Sequence, residues 1–175
     1  MFLSSALYFR KQGRFNAKCG KYALNNLLGQ KQLTSKMLDD ICSKLEKEVK
    51  QDYRHALGGD YDVNVLIDAL GIFDKECRWL SGSKIEICRE SEEQRPGRVG
   101  YLINRSLKPN IFKAMVGLSD RHWVAVRQYN GQYYLLDSKA EADIPEHIIF
   151  IAEFLGAEIE KGSYIIEVFD KNDTV

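Results

Sequence analysis

The sequence predicts a single α+β domain over residues 1–175, with helices first and an antiparallel sheet after them. Three observations predict it. In the first part of the chain, apolar residues recur at spacings of three and four, the period of a helix face. From "ECRWL" (76–80) onward the apolar runs become short and rich in β-branched and aromatic residues. Two of these later runs flank Asn130-Gly131, the preferred pair for a tight type I′ hairpin.

Taken in order, "ALYFRKQ" (6–12) enters as a strand or extended segment. A first helix follows, with Cys19, Ala23, Leu24, Leu27 and Leu28 on one face, Asn16 as its N-cap and Gly29 as its stop. A second begins near Thr34 or Ser35 and buries Met37, Leu38, Ile41, Cys42, Leu45 and Val49. Its "KLEKEVK" face is solvated charge. "RHALGGD" (54–60) is a loop, and "YDVNVLIDALGIF" (61–73) a third helix with Val63, Leu66, Ile67 and Leu70 inward. The segment 81–100 mixes one alternating, strand-like piece with a polar loop containing proline and glycine. "YLINR" (101–105) is a buried strand, and "HWVAVRQYNGQYYLLDS" (122–138) the hairpin. After Pro145, "EHIIFIAEFLGAEI" reads as an amphipathic helix and "SYIIEVF" as the last strand.

Lys+Arg and Asp+Glu balance at 25 each. That argues against nucleic acid or an anionic membrane as the main partner, since both select a basic surplus. Cys19, Cys42, Cys77 and Cys88 are too scattered for a zinc site or a disulfide framework, so neither metal nor cofactor is expected. A reducing interior, cytoplasmic with the nucleus also open to it, is the expected setting. The opening "MFLSSALYF" has no basic residue ahead of it and is too short to span a bilayer, and no later stretch approaches transmembrane length.

The hairpin carries the chemistry. With a two-residue turn, Tyr129 pairs with Gln132, Val124 falls opposite Asp137, and His122 opposite Lys139. Side chains alternate, so His122 and Asp137 share a face as diagonal neighbours, roughly 7–8 Å apart at the backbone. A three-residue turn would put them on opposite faces. A carboxylate behind an imidazole fixes its tautomer and stabilises its protonated form. The nucleophile this pair lacks is supplied best by Cys19, where a helix N-terminus, an imidazolium and Lys18 and Lys21 all favour thiolate.

Each residue also has a plainer reading. A cysteine on an apolar helix face is commonly inert packing, and Cys42, in mid-helix beside Ile41 and Leu45, fits that description. Cys77 and Cys88 have no histidine assigned to them. His55 and His147 read as surface residues, and a histidine next to Trp123 at a strand start is often structural.

In these residues the chain resembles the Josephin family of cysteine deubiquitinases. The resemblance runs in order through "KQ…CGKYALNNLLGQKQLTSKMLDDICSKLEKE", "GGDYDVNVLIDAL", "RHWVAVR" and "YYLLDSK", from about Leu7 to Phe169, and is strongest to the short, single-domain members. It implies a papain-like fold with a helical hairpin near residues 31–58 over the substrate entrance. It also implies ubiquitin or polyubiquitin conjugates as partner and substrate, with hydrolysis after the C-terminal glycine through an acyl-enzyme. By motif position Cys19 is then the nucleophile, His122 the general base and acid, Asp137 its orienting partner and Gln12 the oxyanion-hole side chain. Trp123 and Asn16 fall at the substrate by the same comparison. Val63 and Phe73 resemble a ubiquitin-contacting patch in a relative, beside the plainer role of core packing.

The pattern departs from the family in three places. Six residues separate Gln12 from Cys19, more than the family's usual spacing, so either Gln12 or Asn16 could supply the amide. Asn16 could equally be only the helix cap. Tyr22 stands where a histidine is common, and Arg10 where a glutamate is. Two other functions stay open: a weakly active or inactive ubiquitin-binding module of this fold, and a different papain-like thiol enzyme.

Overall fold

A computed structural model describes residues 7–13, 18–49, 61–80, 86, 96–106 and 121–171. The order of elements is α1 (Cys19–Leu28), α2 (Ser35–Val49), α3 (Val63–Gly71), β1 (Lys75–Leu80), β2 (Arg98–Ser106), β3 (Arg121–Tyr129), β4 (Gln132–Leu136), β5 (Glu146–Ile148), α4 (Ile151–Glu160) and β6 (Tyr164–Asp170). The architecture is α+β, as expected.

Helix α1 forms because Cys19, Ala23, Leu24 and Leu27 fall on one stripe, and all four are buried. It ends at Gly29, whose φ of 76° is open to glycine at little cost and whose N–H closes on the carbonyl of Asn25. The N-cap is Lys18, with no side-chain cap bond. Asn16, expected as the cap, lies outside the described residues and two positions too early for a helix that starts at Cys19.

Thr34 does cap α2, its Oγ1 accepting from the N–H of Met37 at 3.2 Å. Asp62 caps α3 through the N–H of Asn64 at 2.9 Å. The inward stripe of α3 is rotated from the expected one. Val65, Leu66, Ala69 and Leu70 are fully buried, while Val63 and Ile67 lie half-buried at its edge. Helix α2 packs on α3, and Tyr61 ties the two with a hydroxyl bond to Asp39 at 3.1 Å. The loop expected at 54–60, with the rest of the hairpin beyond Val49, lies outside the described residues.

The sheet is antiparallel throughout, in the order β1-β6-β2-β3-β4-β5. One face packs against α1–α3 through Leu102, Trp123, Ala125, Leu136, Ile166 and Val168. The other packs against α4 through Tyr101, Ile103, Val124, Val126 and Ile165. The turn is the two-residue one: Tyr129 pairs with Gln132, and φ is 50° at Asn130 and 73° at Gly131, positive at both as type I′ requires.

Residues 7–13, expected as a strand or extended segment, belong to no strand or helix, and the N–H of Gln12 bonds the carbonyl of Ser138 at 2.8 Å. Two further expectations are corrected. Glu86, within the segment expected to alternate as a strand, is helical and exposed, since so short an alternation cannot separate the two periods. The stretch after Pro145 is not one helix. Glu146–Ile148 add a strand to β4, placing His147 opposite Tyr134, and the helix starts only at Ile151. Backbone pairing at the open edge of β4 outweighs the local helical pattern.

Candidate active site

The starts of β3 and α1, the end of β4 and the segment carrying Gln12 meet at one end of the sheet. Asp137 follows β4 directly and His122 is the second residue of β3, so both stand at the same end of the hairpin. His122 Nε2 lies 2.7 Å from Asp137 Oδ1. An ionised carboxylate only accepts, so Nε2 carries the proton and Nδ1 is the basic nitrogen of the neutral ring. Nδ1 is buried and has no hydrogen-bond partner among the described residues.

The carboxylate of Asp137 is fixed from three sides. Oδ1 also accepts from the N–H of Lys139 at 2.9 Å, and Oδ2 faces Arg105 Nη1 at 3.4 Å. Burial pushes the carboxyl up, but the hydrogen bond and charge of His122, the Lys139 N–H and Arg105 together outweigh it and hold it below the usual carboxylate range.

Cys19 is the first residue of α1, where the backbone N–H groups have no partner within the helix. At Gly20 this helix tip packs closely on α3 and touches β3: a Cβ there would lie a tight 3.2 Å from Leu66 Cδ2 and in ordinary contact, 3.6 Å, with Trp123 Cδ1. Trp123, next to His122, turns into the core that also holds Cys19. Cys19 and His122 are 1% and 3% exposed, so both sit away from bulk water. The field at this helix tip is positive. Burial lowers the pKa of Lys21, and Lys18, Lys31 and Arg10 lower it further. Burial pushes the Cys77 thiol up to about 11. Cys42 is sealed in the core; Cys88 and His55 lie outside the described residues. Cys19, Cys42 and Cys77 form no disulfide.

Gln12 is buried beside the residue that follows Asp137. Its Oε1 accepts from Ser138 Oγ at 3.3 Å, while its Nε2 is buried with no hydrogen-bond partner among the described residues. A buried amide donor left unpaired is costly unless something arrives to accept from it. The remaining expected residues divide. Trp123, only 4% exposed, forms a wall of the core instead of an open contact surface. Val63 and Phe73 are half-buried and pack against the core that includes Cys19. Asn16 lies outside the described residues.

Sequence reasoning missed the residues that support these. Asn26 brackets the backbone of Arg10, Oδ1 accepting its N–H at 2.8 Å and Nδ2 donating to its carbonyl at 3.2 Å. Asn25 holds the following turn through the N–H groups of Gln32 and Leu33 and the carbonyl of Leu33, each at 2.9 Å. Arg105 and Glu158 stand behind Asp137. Among the described residues there is no cluster of three or more His, Cys, Asp or Glu placed to hold a metal ion, and no helix long and apolar enough to cross a membrane.

Comparison with known proteins gives the chain its relatives. The Josephin family model matches residues 15–169. Josephin-2 of Homo sapiens is 33% identical over 149 residues, covering 82% of this chain and 76% of that protein. A Josephin-like protein of Drosophila melanogaster is 33% identical over 137 residues, 76% of this chain and 59% of that one. One of Arabidopsis thaliana is 33% identical over 138 residues, 69% of this chain and 36% of its own length.

Proposed function

The chain belongs to the Josephin family, whose domain is of the deubiquitinase type, and from that premise we propose that it is a thiol hydrolase cutting after the C-terminal glycine of ubiquitin. In this reading residues 1–175 act as one catalytic domain, in the reducing setting of the cytoplasm or nucleus. The observation that carries it is the 2.7 Å contact of His122 with Asp137 at the sheet end where α1 presents Cys19.

His122 Nδ1, the ring nitrogen left without a partner, takes the proton of the Cys19 thiol. The thiolate attacks the carbonyl carbon of the ubiquitin terminus, and the oxyanion receives hydrogen bonds from the Cys19 N–H and Gln12 Nε2. Nδ1–H then protonates the departing amine, leaving a thioester. Water, losing its proton to Nδ1, attacks that thioester; its C–S bond breaks, ubiquitin departs with a free C-terminal carboxylate, and the sulfur remains on Cys19. Asp137 stays ionised throughout and stabilises each imidazolium.

The test is reaction with ubiquitin bearing an electrophile at its C-terminus. A stable adduct should form with the native chain and be absent from Cys19→Ala. Tight ubiquitin binding with no adduct would overturn the enzyme reading in favour of a binding module. Neither binding nor adduct would overturn both.

A further inference from the structure

Behind Asp137 stands a second layer that the proposed mechanism does not use. Arg105 is the register partner of His122 across β2 and β3 and shares its face of the sheet. Its guanidinium is held from α4: Nε and Nη2 donate to the two oxygens of Glu158 at 3.1 and 3.2 Å. The third donor, Nη1, faces Asp137 Oδ2 at 3.4 Å. Glu158 is itself buried, at 2% exposure, and Ser163 Oγ and Lys161 Nζ bond it at 3.0 and 3.1 Å. The groups thus run Glu158, Arg105, Asp137, His122, alternating in charge when the imidazole is protonated.

We propose that Arg105, clamped by Glu158, is a positioning residue that locks the Asp137 carboxylate against the His122 ring. The assignment deepens the proposed catalytic reading and rests on it. A carboxylate can rotate about its last torsion, and Asp137 sits in a loop beyond the end of β4, where no ladder bond holds it. With Oδ1 on His122 and Lys139 and Oδ2 on Arg105, that rotation is blocked. A bidentate fork on a buried carboxylate is the arrangement that gives an arginine a fixed direction, which a lysine cannot reproduce. Glu158 also offsets the charge of Arg105, so the cation orients Asp137 without cancelling its pull on the imidazolium. The charged groups on this side of Asp137 are Arg105 from β2 and His122 from β3, with Glu158 and Lys161 from α4 and its end beyond Arg105; Lys139 contributes its backbone N–H.

The test uses the charge-matched pair Arg105→Gln with Glu158→Gln, which leaves net charge unchanged and does not strand Glu158 without its arginine. Its first readout needs no substrate: the low-field proton resonance of the His122 Nε2–H bonded to Asp137. That resonance should be present in the native chain and lost or broadened in the double variant, with Arg105→Lys resembling the loss. The second readout is turnover of a fluorogenic ubiquitin amide, where kcat should fall about tenfold with KM little changed. In an Asp137→Ala background the same pair should add no further loss, because Arg105 acts through Asp137. An unchanged resonance in a variant that stays folded, or an equal loss of kcat with and without Asp137, would overturn the proposal. If ubiquitin is not turned over at all, the catalytic reading fails, while the resonance still decides the role of Arg105.

Discussion

At the scale of single residues, the site depends on which nitrogen or oxygen is left unpaired. The His122–Asp137 contact is legible in the sequence because a two-residue turn fixes the hairpin register, and register fixes which side chains share a face. Arg105 is not legible in the same way. Its place opposite His122 depends on the long connection between β2 and β3, which carries no turn signature. Glu158 reads as one more charge on an amphipathic helix, yet it is buried. Gln12 enters only through family resemblance, and its unpaired Nε2 gives the resemblance a physical content. Gln12→Glu retains an oxygen for Ser138 but removes the amide donor. We expect kcat on a fluorogenic ubiquitin amide to drop about 10²–10³-fold, with KM nearly constant. A fall in KM-controlled binding alone would point to substrate contact and not to the oxyanion.

At the scale of elements, the two adjacent asparagines of α1 divide the labour of holding its surroundings. Periodicity makes α1 visible, but both Asn25 and Asn26 are polar residues on a helix and give no sign of burial until the neighbouring segments are placed. Asn25 serves the turn after the helix, and Asn26 serves residue 10, two positions before Gln12. The contrast is testable. Asn26→Ala leaves the Arg10 backbone groups unpaired, so urea unfolding should show a loss of about 1–3 kcal/mol. It should also release the segment that aims Gln12, lowering kcat about tenfold. Asn25→Ala should destabilise by a similar amount while sparing kcat far more. Equal effects of the two on kcat would show that Asn26 acts only on folding. The edge strand β5 teaches the same lesson from the other side. Its residues carry a helical pattern, and only the free edge of β4, invisible in a local window, turns them into a strand.

At the scale of the whole molecule, the site is supported from both faces of one sheet. The α1–α3 face holds Cys19 in its core, and the α4 face holds the Glu158–Arg105 layer behind the Asp137 carboxylate. This layout ties global stability to the charge state of the site. Burial pushes the Glu158 carboxyl up, but Arg105, Lys161 and Ser163 hold it net below the ordinary carboxylate range, the same direction as for Asp137. Both folded-state values are therefore depressed relative to the unfolded chain. Carboxyls of this kind contribute stability that is fully present above the unfolded value, near pH 4, and lost as pH falls through the folded value. The urea midpoint should thus owe nothing to these two groups between about pH 6 and 8 in its slope, and should decline steeply below about pH 4. In the Arg105→Gln, Glu158→Gln variant one of the two depressed carboxyls is gone and the other has lost a cation. Its midpoint should decline less steeply over the same acid range. An unchanged acid slope would mean that these carboxylates bind protons alike in the folded and unfolded chains, and that the layer behind the site contributes geometry without stability.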